Sequence, residues 1–396
     1  MIRTVAVEGY RSLRSLVLEP GALTVVTGGN GSGKSSLYRS LRLLQACSTG
    51  AFAATLAQEG GLASALWAGR RVREGRGPGA GPVRLRLGVQ HGPGHVRGQI
   101  ADDDVAFGYA CEVGLPQLER TSPFVRDPEI KAETVWVGHA PRPRDVVAER
   151  RGPSVRARDA DDAWVQVPAQ PDPTESLLTE LVDPLLAPQV LLVRESLRGW
   201  RFYDHVRTDA EAPARRGSVL TRTPVLAADG RDLAAAVATI RYLGGGAELA
   251  EVVDRAFPGS TLDVGGTDEH ATVTMTQPGL LRPLSAAELS DGTLRFVLWA
   301  AALLTPRPPA LMVVNEPETS LHPDLLPALA HLLAAAARRT QVVVVSHARP
   351  LVDALLADDS TPADTRHVAL EKDVGETVVA GRGGLLDVPA WHWPGR

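Results

Sequence analysis

The sequence is poor in cysteine, has no large excess of charge of either sign and lacks long apolar runs, and each shortage excludes a class of protein. Among its 396 residues, cysteine occurs only as Cys47 and Cys111, which excludes a disulfide framework and a cysteine-based metal site. The formal net charge of −4 excludes a chain-wide positive field for nucleic acid. No apolar segment reaches membrane-spanning length, and no signal-peptide pattern is present. We therefore expect a protein of the reducing cytoplasm that does not enter a membrane.

The most informative segment runs from Gly28 to Ser35. It fits the pattern Gly-x-x-x-x-Gly-Lys-Ser/Thr, the phosphate-binding loop of nucleotide triphosphatases. Residues 23–26 before it are typical of a buried strand, and Leu37 and Leu41 after it lie at helical spacing. Strand, glycine loop and helix form the arrangement that phosphate binding needs. We therefore favour a nucleotide site over a glycine-rich turn with a chance Lys-Ser pair.

The loop predicts a set of nucleotide contacts. Its glycines let backbone N–H groups curl around phosphate oxygens. Lys34 can reach the β- and γ-phosphates, so it also counts as a catalytic group, and Ser35 can ligate Mg²⁺. The residues predicted to bind ATP here are Gly28, Asn30, Gly31, Ser32, Gly33, Lys34, Ser35 and Ser36.

The distribution of apolar runs predicts an α/β fold. Residues 310–314 and 341–345 are continuous apolar strands separated by a helical pattern, which indicates a mostly parallel sheet covered by helices. Alternating runs at 83–87, 134–137 and 164–167 predict an added antiparallel layer.

We expect one ATPase domain over residues 1–396. Residues 1–169 would form a lobe with the glycine loop and the antiparallel strands, 170–260 a helical region, and 261–396 the remaining site motifs.

Two positions where related sites carry acidic residues follow the strand at 310–314. The residue after such a strand normally is an Asp that holds Mg²⁺, and a Glu directly after it suits a general base for water. Here the first position is Asn315 and the second is Glu316. Asn can hydrogen-bond a Mg²⁺-bound water but brings no charge, so weaker Mg²⁺ binding is expected. The alternative is that Glu316 merely caps a loop.

Two further motifs lie near strand or helix ends. Ser290 and Gly292 stand at the start of a predicted helix, where they suit a γ-phosphate, although Ser-Asp-Gly is also an ordinary helix cap. His347 follows the strand at 341–345, after Glu316 in the chain.

The loop, the Ser-Asp-Gly motif, the Glu and the His follow the order found in ATP-binding-cassette (ABC) ATPases. The sequence resembles their soluble RecF, SMC and OLD branch. Residues 7–13 are similar to the opening strand of that branch, and 315–323 are similar to its Asp-Glu-Pro-Glu-x-x-Leu-His-Pro pattern, apart from Asn315. The chain shows neither the long coiled coil of SMC proteins nor room after His347 for the Toprim nuclease domain of OLD proteins, so no nuclease activity is expected.

The resemblance implies a P-loop fold of the ABC type and further roles. Arg11 would contact the nucleotide, and Gln58 would act as the Q-loop glutamine near Mg²⁺, with Gln45 and Gln90 as alternatives. Residues 319–322 would touch an opposing subunit. Glu316 and His347 would activate and fix the attacking water, while Ser290 and Gly292 of a second copy would close over the γ-phosphate. ATP would thus drive a head-to-tail homodimer.

Three functional classes remain open. The first is an ATPase switch in DNA repair or phage defence, working with a separate effector protein; the second is a transporter cassette; the third is a low-turnover nucleotide sensor, which Asn315 makes plausible. DNA contact would use arginine-rich loops. These arginines are Arg70, Arg71, Arg73, Arg76, Arg142, Arg144, Arg150, Arg151, Arg156 and Arg158.

Overall fold

The computed structural model describes residues 1–67, 69, 84–92, 106–116, 126–168, 171–204, 206–382 and 389–395. These residues form a mixed α/β structure, as predicted. The chain divides into two compact units. The first contains Met1–Pro20, Gly28–Trp200 and Val368–Arg396, and the second contains Gly21–Thr27 and Arg201–His367.

The strands, in chain order, are β1 (Ile2–Tyr10), β2 (Leu13–Leu18), β3 (Leu23–Gly28), β4 (Arg84–His91), β5 (Phe107–Gly114), β6 (Glu129–Val137), β7 (Val146–Arg151), β8 (Ser154–Arg158), β9 (Trp164–Gln166), β10 (Arg201–Tyr203), β11 (Thr261–Thr267), β12 (His270–Thr276), β13 (Leu284–Ser285), β14 (Leu311–Asn315), β15 (Gln341–Val345), β16 (Thr365–Asp373) and β17 (Glu376–Val379).

The α-helices are α1 (Lys34–Cys47), α2 (Phe52–Gln58), α3 (Leu62–Ala65), α4 (Leu177–Glu180), α5 (Pro188–Arg198), α6 (Leu233–Ile240), α7 (Gly246–Ala256), α8 (Asp291–Leu303), α9 (Leu326–Ala337) and α10 (Arg349–Ala357). Short 3₁₀ segments occupy Pro213–Arg215 and Pro323–Leu325, and a π-helical turn, Arg241–Gly245, joins α6 to α7.

An antiparallel sheet of eight strands, in the order β2-β1-β4-β5-β6-β7-β8-β9, dominates the first unit. Its side chains alternate as the sequence pattern predicted. On β4, for example, Leu85, Leu87 and Val89 are fully buried, because successive strand residues face opposite sides of a sheet. Within the same unit β16 and β17 form a hairpin in which Leu370 pairs with Val379.

Four strands of the second unit pair in parallel, in the order β10-β14-β15-β3. Met312 and Val314 of β14 face a core built with α6, α7, α8 and α9. Leu311 and Val313, which point the other way, are also buried. Burial on both faces explains why these strands are continuous apolar runs in the sequence.

The part of the chain expected to be helical, residues 170–260, contains α4, α5, α6 and α7, but it also contributes β10 to the parallel sheet. The expectation missed this strand because its three residues are too short for a periodic pattern.

Candidate functional site

The glycine loop turns sharply between β3 and α1. Gly33 has φ 107°, a left-handed conformation that favours glycine. A Cβ on Gly33 would also collide with the side chain of Thr377, and one on Gly28 would collide with the carbonyl of Leu370. Asn30 and Gly31 form the exposed tip of the loop. The chain therefore requires glycine where the backbone must turn its N–H groups inward.

Polar groups at the loop are arranged to receive an anion. Lys34 is buried, and its Nζ donates to the carbonyls of Gly28 at 2.6 Å and Gly29 at 3.1 Å. The Oγ of Ser32 is buried and finds no hydrogen-bond partner within the described part of the chain. Among the described residues no side chain caps the start of α1, so its first N–H groups and its positive dipole end face the loop. These features fit a bound triphosphate.

Two hydroxyl residues support the loop from behind, and sequence reasoning did not find them. Thr377 Oγ1 donates to Ser12 Oγ at 2.8 Å, and Ser12 Oγ lies 3.3 Å from Ser36 Oγ. The N–H of Thr377 also donates to the carbonyl of Ser12 at 2.8 Å. Ser35, the predicted Mg²⁺ ligand, remains exposed. Thr377 lies far from the loop in the chain, so no local pattern could have revealed its contact with Gly33.

The structure places Arg11 in an ion pair. Its Nη2 lies 2.7 Å from Glu59 Oε2, and its side chain is 26% exposed. Tyr10 donates its hydroxyl to the same carboxylate. Gln58, the residue before Glu59, is exposed at the end of α2. Arg11 thus forms a salt bridge with Glu59, the residue next to Gln58, and the sequence did not predict this contact.

The two alternatives to Gln58 are engaged elsewhere. The buried amide of Gln90 donates to the carbonyls of His91, Phe107 and Gly138, and it accepts from Trp136 Nε1 at 2.8 Å. Gln45 donates to the carbonyl of Trp200 at 2.7 Å. The assignment of Gln58 as the Q-loop glutamine stays a prediction.

In the second unit, Asn315 and Glu316 lie at the carboxyl end of β14. Glu316 has φ 48°, so a non-glycine residue is held in the left-handed region, which costs of order 1–3 kcal/mol. Its N–H donates to the carbonyl of Val345 at 2.7 Å, which fixes this conformation. The Nδ2 of Asn315 donates to Asp204 Oδ1 at 2.7 Å. Strained backbone beside a carboxylate is a pattern of functional sites.

His347 lies between two carboxylates. Its Nδ1 is 3.4 Å from Glu316 Oε1 and 3.5 Å from Glu318 Oε1. Glu318 is buried and accepts from Ser346 Oγ at 2.7 Å and from the N–H groups of His347 and Ala348 at 3.2 Å each. Glu318 belongs to the motif at 315–323, but no role was predicted for it. Its hydrogen bonds hold the backbone that carries His347.

Ser290 caps α8. Its Oγ accepts from the N–H of Thr293 at 3.2 Å. Ser290 is exposed, and Gly292 is half-buried, so a bulkier residue there would approach the carbonyl of Ser320. The start of α8 is therefore accessible within its unit.

Arg215 holds the segment before α8 and was missed by sequence reasoning. Its Nη1 donates to the carbonyls of Ala286, Ala287 and Leu289, the last at 2.8 Å. Its Nη2 lies 2.7 Å from Asp291 Oδ1. The Arg215 side chain thus holds the residues on both sides of Ser290 through contacts with three carbonyls and one carboxylate.

The arginines expected to contact DNA have different surroundings. Arg70, Arg71, Arg73 and Arg76 lie outside the described residues. Arg150 is buried and donates to the carbonyls of Gly152 and Asp172, so the expectation that it reaches a phosphate backbone is wrong. The other described members with acidic partners are Arg144, Arg151, Arg156 and Arg158.

Residues 23–354 match the family described as "AAA domain, putative AbiEii toxin, Type IV TA system". The chain belongs to this family. The predicted resemblance to ABC- and SMC-like AAA ATPases is thereby confirmed. No curated protein matches the chain.

Solved SMC heads share the fold of this AAA-domain protein. The crystal structure of the SmcHead bound to the C-winged helix domain of ScpA has a TM-score of 0.57 at 13% identity, over 96% of this chain and 97% of that chain. The Smc head domain with an extended coiled coil bound to the C-terminal domain of ScpA, derived from Pyrococcus furiosus, has a TM-score of 0.52 at 11% identity, over 96% of this chain and 95% of that chain. At these identities the likeness concerns the fold alone.

Two features are absent from the described residues of the AAA-domain protein. None of its described helices is both long and apolar enough to cross a bilayer. The same residues contain no group of three or more His, Cys, Asp or Glu side chains that could hold a metal ion. Mg²⁺ in nucleotide sites is usually held by one or two protein groups, water and the phosphates themselves.

Proposed function

We propose that the protein binds ATP with Mg²⁺ on its glycine loop and hydrolyses it. The observation that carries this proposal is the loop itself: Gly33 held in a left-handed turn, Ser32 Oγ buried without a partner in the described residues, and Lys34 Nζ held at the loop carbonyls. Membership of an AAA family supports the same reaction.

The residues have distinct parts in the proposed reaction. Lys34 and the N–H groups of residues 28–36 hold the phosphates, and Arg11 adds a positive group near the nucleotide. The sequence resemblance assigns to Ser35, Asn315 and Gln58 the oxygens that would hold Mg²⁺ and its water molecules. When bound, Mg²⁺ neutralises charge on the β- and γ-phosphates.

Glu316 accepts a proton from the attacking water in this proposal, and His347 helps to fix that water. The distance of 3.4 Å between His347 Nδ1 and Glu316 Oε1 supports this pairing. The sequence resemblance assigns these residues and the glycine loop to one reaction. Catalysis then consists of positioning and charge stabilisation.

ATP would also join two copies of the chain head to tail. Exposed Ser290 and the adjoining Gly292 of one copy would close over the γ-phosphate held by the other, and residues 319–322 would line the contact. Hydrolysis would release the dimer. Both SMC heads described above are bound to parts of ScpA, which supports a separate protein partner for the switch.

The biological setting that we favour is DNA repair or phage defence. The family description names a toxin–antitoxin system, which favours a control switch over a transporter cassette. A DNA-binding assay at low and high salt tests the nucleic-acid part, since phosphate contacts weaken steeply as salt rises. Absence of binding at low salt would remove that part.

A low-turnover nucleotide sensor is the second candidate, and Asn315 favours it. Replacement of the expected Asp removes a negative charge from the end of β14. Phosphate release by wild type and Asn315→Asp separates the two candidates. Turnover that appears only in Asn315→Asp would favour the sensor.

The proposed function is tested first by equilibrium binding of a fluorescent ATP analogue. We expect binding by wild type and loss of binding in Lys34→Ala, with Lys131→Ala as the matched control because Lys131 pairs with Glu129 on the antiparallel sheet. Light scattering of Glu316→Gln with ATP then tests dimerisation. Equal binding by Lys34→Ala would contradict the site, and a persistent monomer would contradict the switch.

A further inference from the structure

Asp204 lies directly beside Asn315 at the carboxyl end of the parallel sheet. Tyr203 of β10 pairs with Val314 of β14, so the next residue on each strand, Asp204 and Asn315, are neighbours in register. Both are half-buried. The carboxyl ends of parallel strands are where α/β proteins bind ligands. Asp204 therefore brings a carboxylate to the edge of the sheet where Asn315 supplies only a neutral amide.

The hydrogen bond between the two side chains has a defined direction. An ionised carboxylate only accepts, so Asn315 must present its Nδ2, which lies 2.7 Å from Asp204 Oδ1. In a planar amide the nitrogen and the oxygen point to opposite sides of the carbonyl carbon. The contact with Asp204 therefore turns Oδ1 of Asn315 away from the carboxylate and fixes its orientation.

Charge and orientation together replace what a single Asp would supply. An amide oxygen can accept from a metal-bound water, but a neutral amide does not offset a divalent charge. Asp204 adds one negative charge within a hydrogen bond of that amide. Carboxylates that orient another ligand in this way tune metal affinity even though they do not touch the ion.

We propose that Asp204 is the positioning residue for the Mg²⁺ that the sequence resemblance assigns to Asn315: Asp204 orients the Asn315 amide and supplies the missing charge; this rests on the proposed ATP binding. The divided arrangement is an amide on β14 and a carboxylate after β10. The negative charge thus stands after β10, the strand next to β14, and not at the end of β14 itself.

The test is a titration of MgCl₂ against full-length protein with a fixed concentration of a fluorescent ATP analogue. It measures the Mg²⁺ concentration at half-maximal binding for wild type, Asp204→Asn and the exchange variant Asp204→Asn/Asn315→Asp. Asp209→Asn is the control, because it removes the same charge from an exposed carboxylate paired with Arg207. Binding in EDTA and thermal melting report on the loop and the fold.

We expect Asp204→Asn to raise the Mg²⁺ midpoint by about tenfold, as removal of a ligand-orienting group typically does. The exchange variant, which restores one carboxylate and one amide, should return close to wild type, and Asp209→Asn should match wild type. If the role of Asp204 were purely structural, Asp204→Asn would lower the melting temperature, and the exchange variant would not restore the Mg²⁺ midpoint. Equal midpoints in wild type and Asp204→Asn, or no recovery in the exchange variant, would overturn the role of Asp204.

The two proposals fail in different ways. If wild type and Lys34→Ala bind the analogue equally, ATP binding at the loop is contradicted before any Mg²⁺ titration. If wild type binds but shows no dependence on Mg²⁺, ATP binding stands and the role of Asp204 is rejected.

Discussion

Two carboxylates, one in each unit, have opposite surroundings. Glu133 in β6 is fully buried and accepts from the Tyr109 hydroxyl at 2.6 Å, from Ser176, and from the N–H of Leu177 at 2.8 Å. Arg150 lies 3.7 Å from it. Burial raises the pKa of the Glu133 carboxyl, although these hydrogen bonds and Arg150 oppose the rise.

Glu316 in the second unit is 41% exposed, and its Oε1 lies 3.4 Å from His347 Nδ1. Its backbone is held in the left-handed region. The comparison teaches that a carboxylate whose acceptor sites are filled by donors belongs to the architecture. One that is partly exposed, held in the left-handed region and close to a histidine ring is a candidate for the reaction proposed above.

The largest expected effect is on Glu316. Glu316→Gln should lower phosphate release by about 10²–10⁴-fold, because a general base is lost, while the melting temperature stays near that of wild type. Steady-state phosphate release and a thermal melt measure the two effects. Full turnover in the variant would place Glu316 with Glu133 among structural groups.

Loss of Glu133 should act on stability instead. Glu133→Ala leaves Arg150 buried beside an unpaired site, so the free energy of unfolding should fall by about 3–5 kcal/mol. The control is Glu149→Ala, whose partners Arg151 and Arg156 are 54% and 45% exposed, and ion pairs with such exposed partners contribute about 0–1 kcal/mol each. Urea unfolding measures both, and equal losses would break the distinction.

Arg215 extends the comparison to a cation of the second unit whose N–H donors are occupied by carbonyls and a carboxylate. Arg215→Ala leaves three carbonyls before α8 without their donor, which should cost about 1–3 kcal/mol and weaken ATP-driven dimerisation. The matched control is Arg216→Ala, since Arg216 pairs with Glu211 at the surface. Light scattering and chemical unfolding are the measurements. Equal stability and equal dimerisation of the two variants would show that the Ser290 segment keeps its conformation without Arg215.

The smallest effect concerns pH. Burial lowers the pKa of His91 to about 3, whereas the unfolded chain takes up this proton near pH 6.5. Between these values the unfolded state binds more protons, so stability falls on acidification by about 1.4 kcal/mol per pH unit from this group.

His91→Gln should reduce that slope, and unfolding curves at pH 7 and pH 5 measure it. The raised pKa of Glu133 acts in the opposite direction but is common to both proteins, so it cancels in the difference. An unchanged slope would show that His91 does not titrate on unfolding in this range.

The fold was predictable where a pattern was local and long. The strand β15 runs from Gln341 to Val345, as the apolar run predicted, and α8 begins after Ser290, where the Ser-Asp-Gly motif predicted a helix start. By contrast, β10 is only three residues long, and its place beside β14 depends on pairing across more than a hundred residues. Periodicity carries no information on such partners.

The candidate site divides in the same way. The loop at 28–35, Glu316 and His347 were predicted from motifs, because each motif contains its own strand and turn, and their roles stay predictions. Thr377, Arg215 and Asp204 were missed because each acts through a contact with a residue distant in the chain. Asn315 showed that a charge was missing, but the sequence could not show which carboxylate stands beside it.

At position 316, the left-handed backbone favours glycine, whereas the proposed reaction needs a carboxylate. Glycine would adopt φ 48° without penalty, so we expect Glu316→Gly to melt at a higher temperature than wild type while losing turnover. Selection for thermal robustness alone would remove this side chain. The proposed role of Glu316 as general base would account for a glutamate at a conformation that disfavours it.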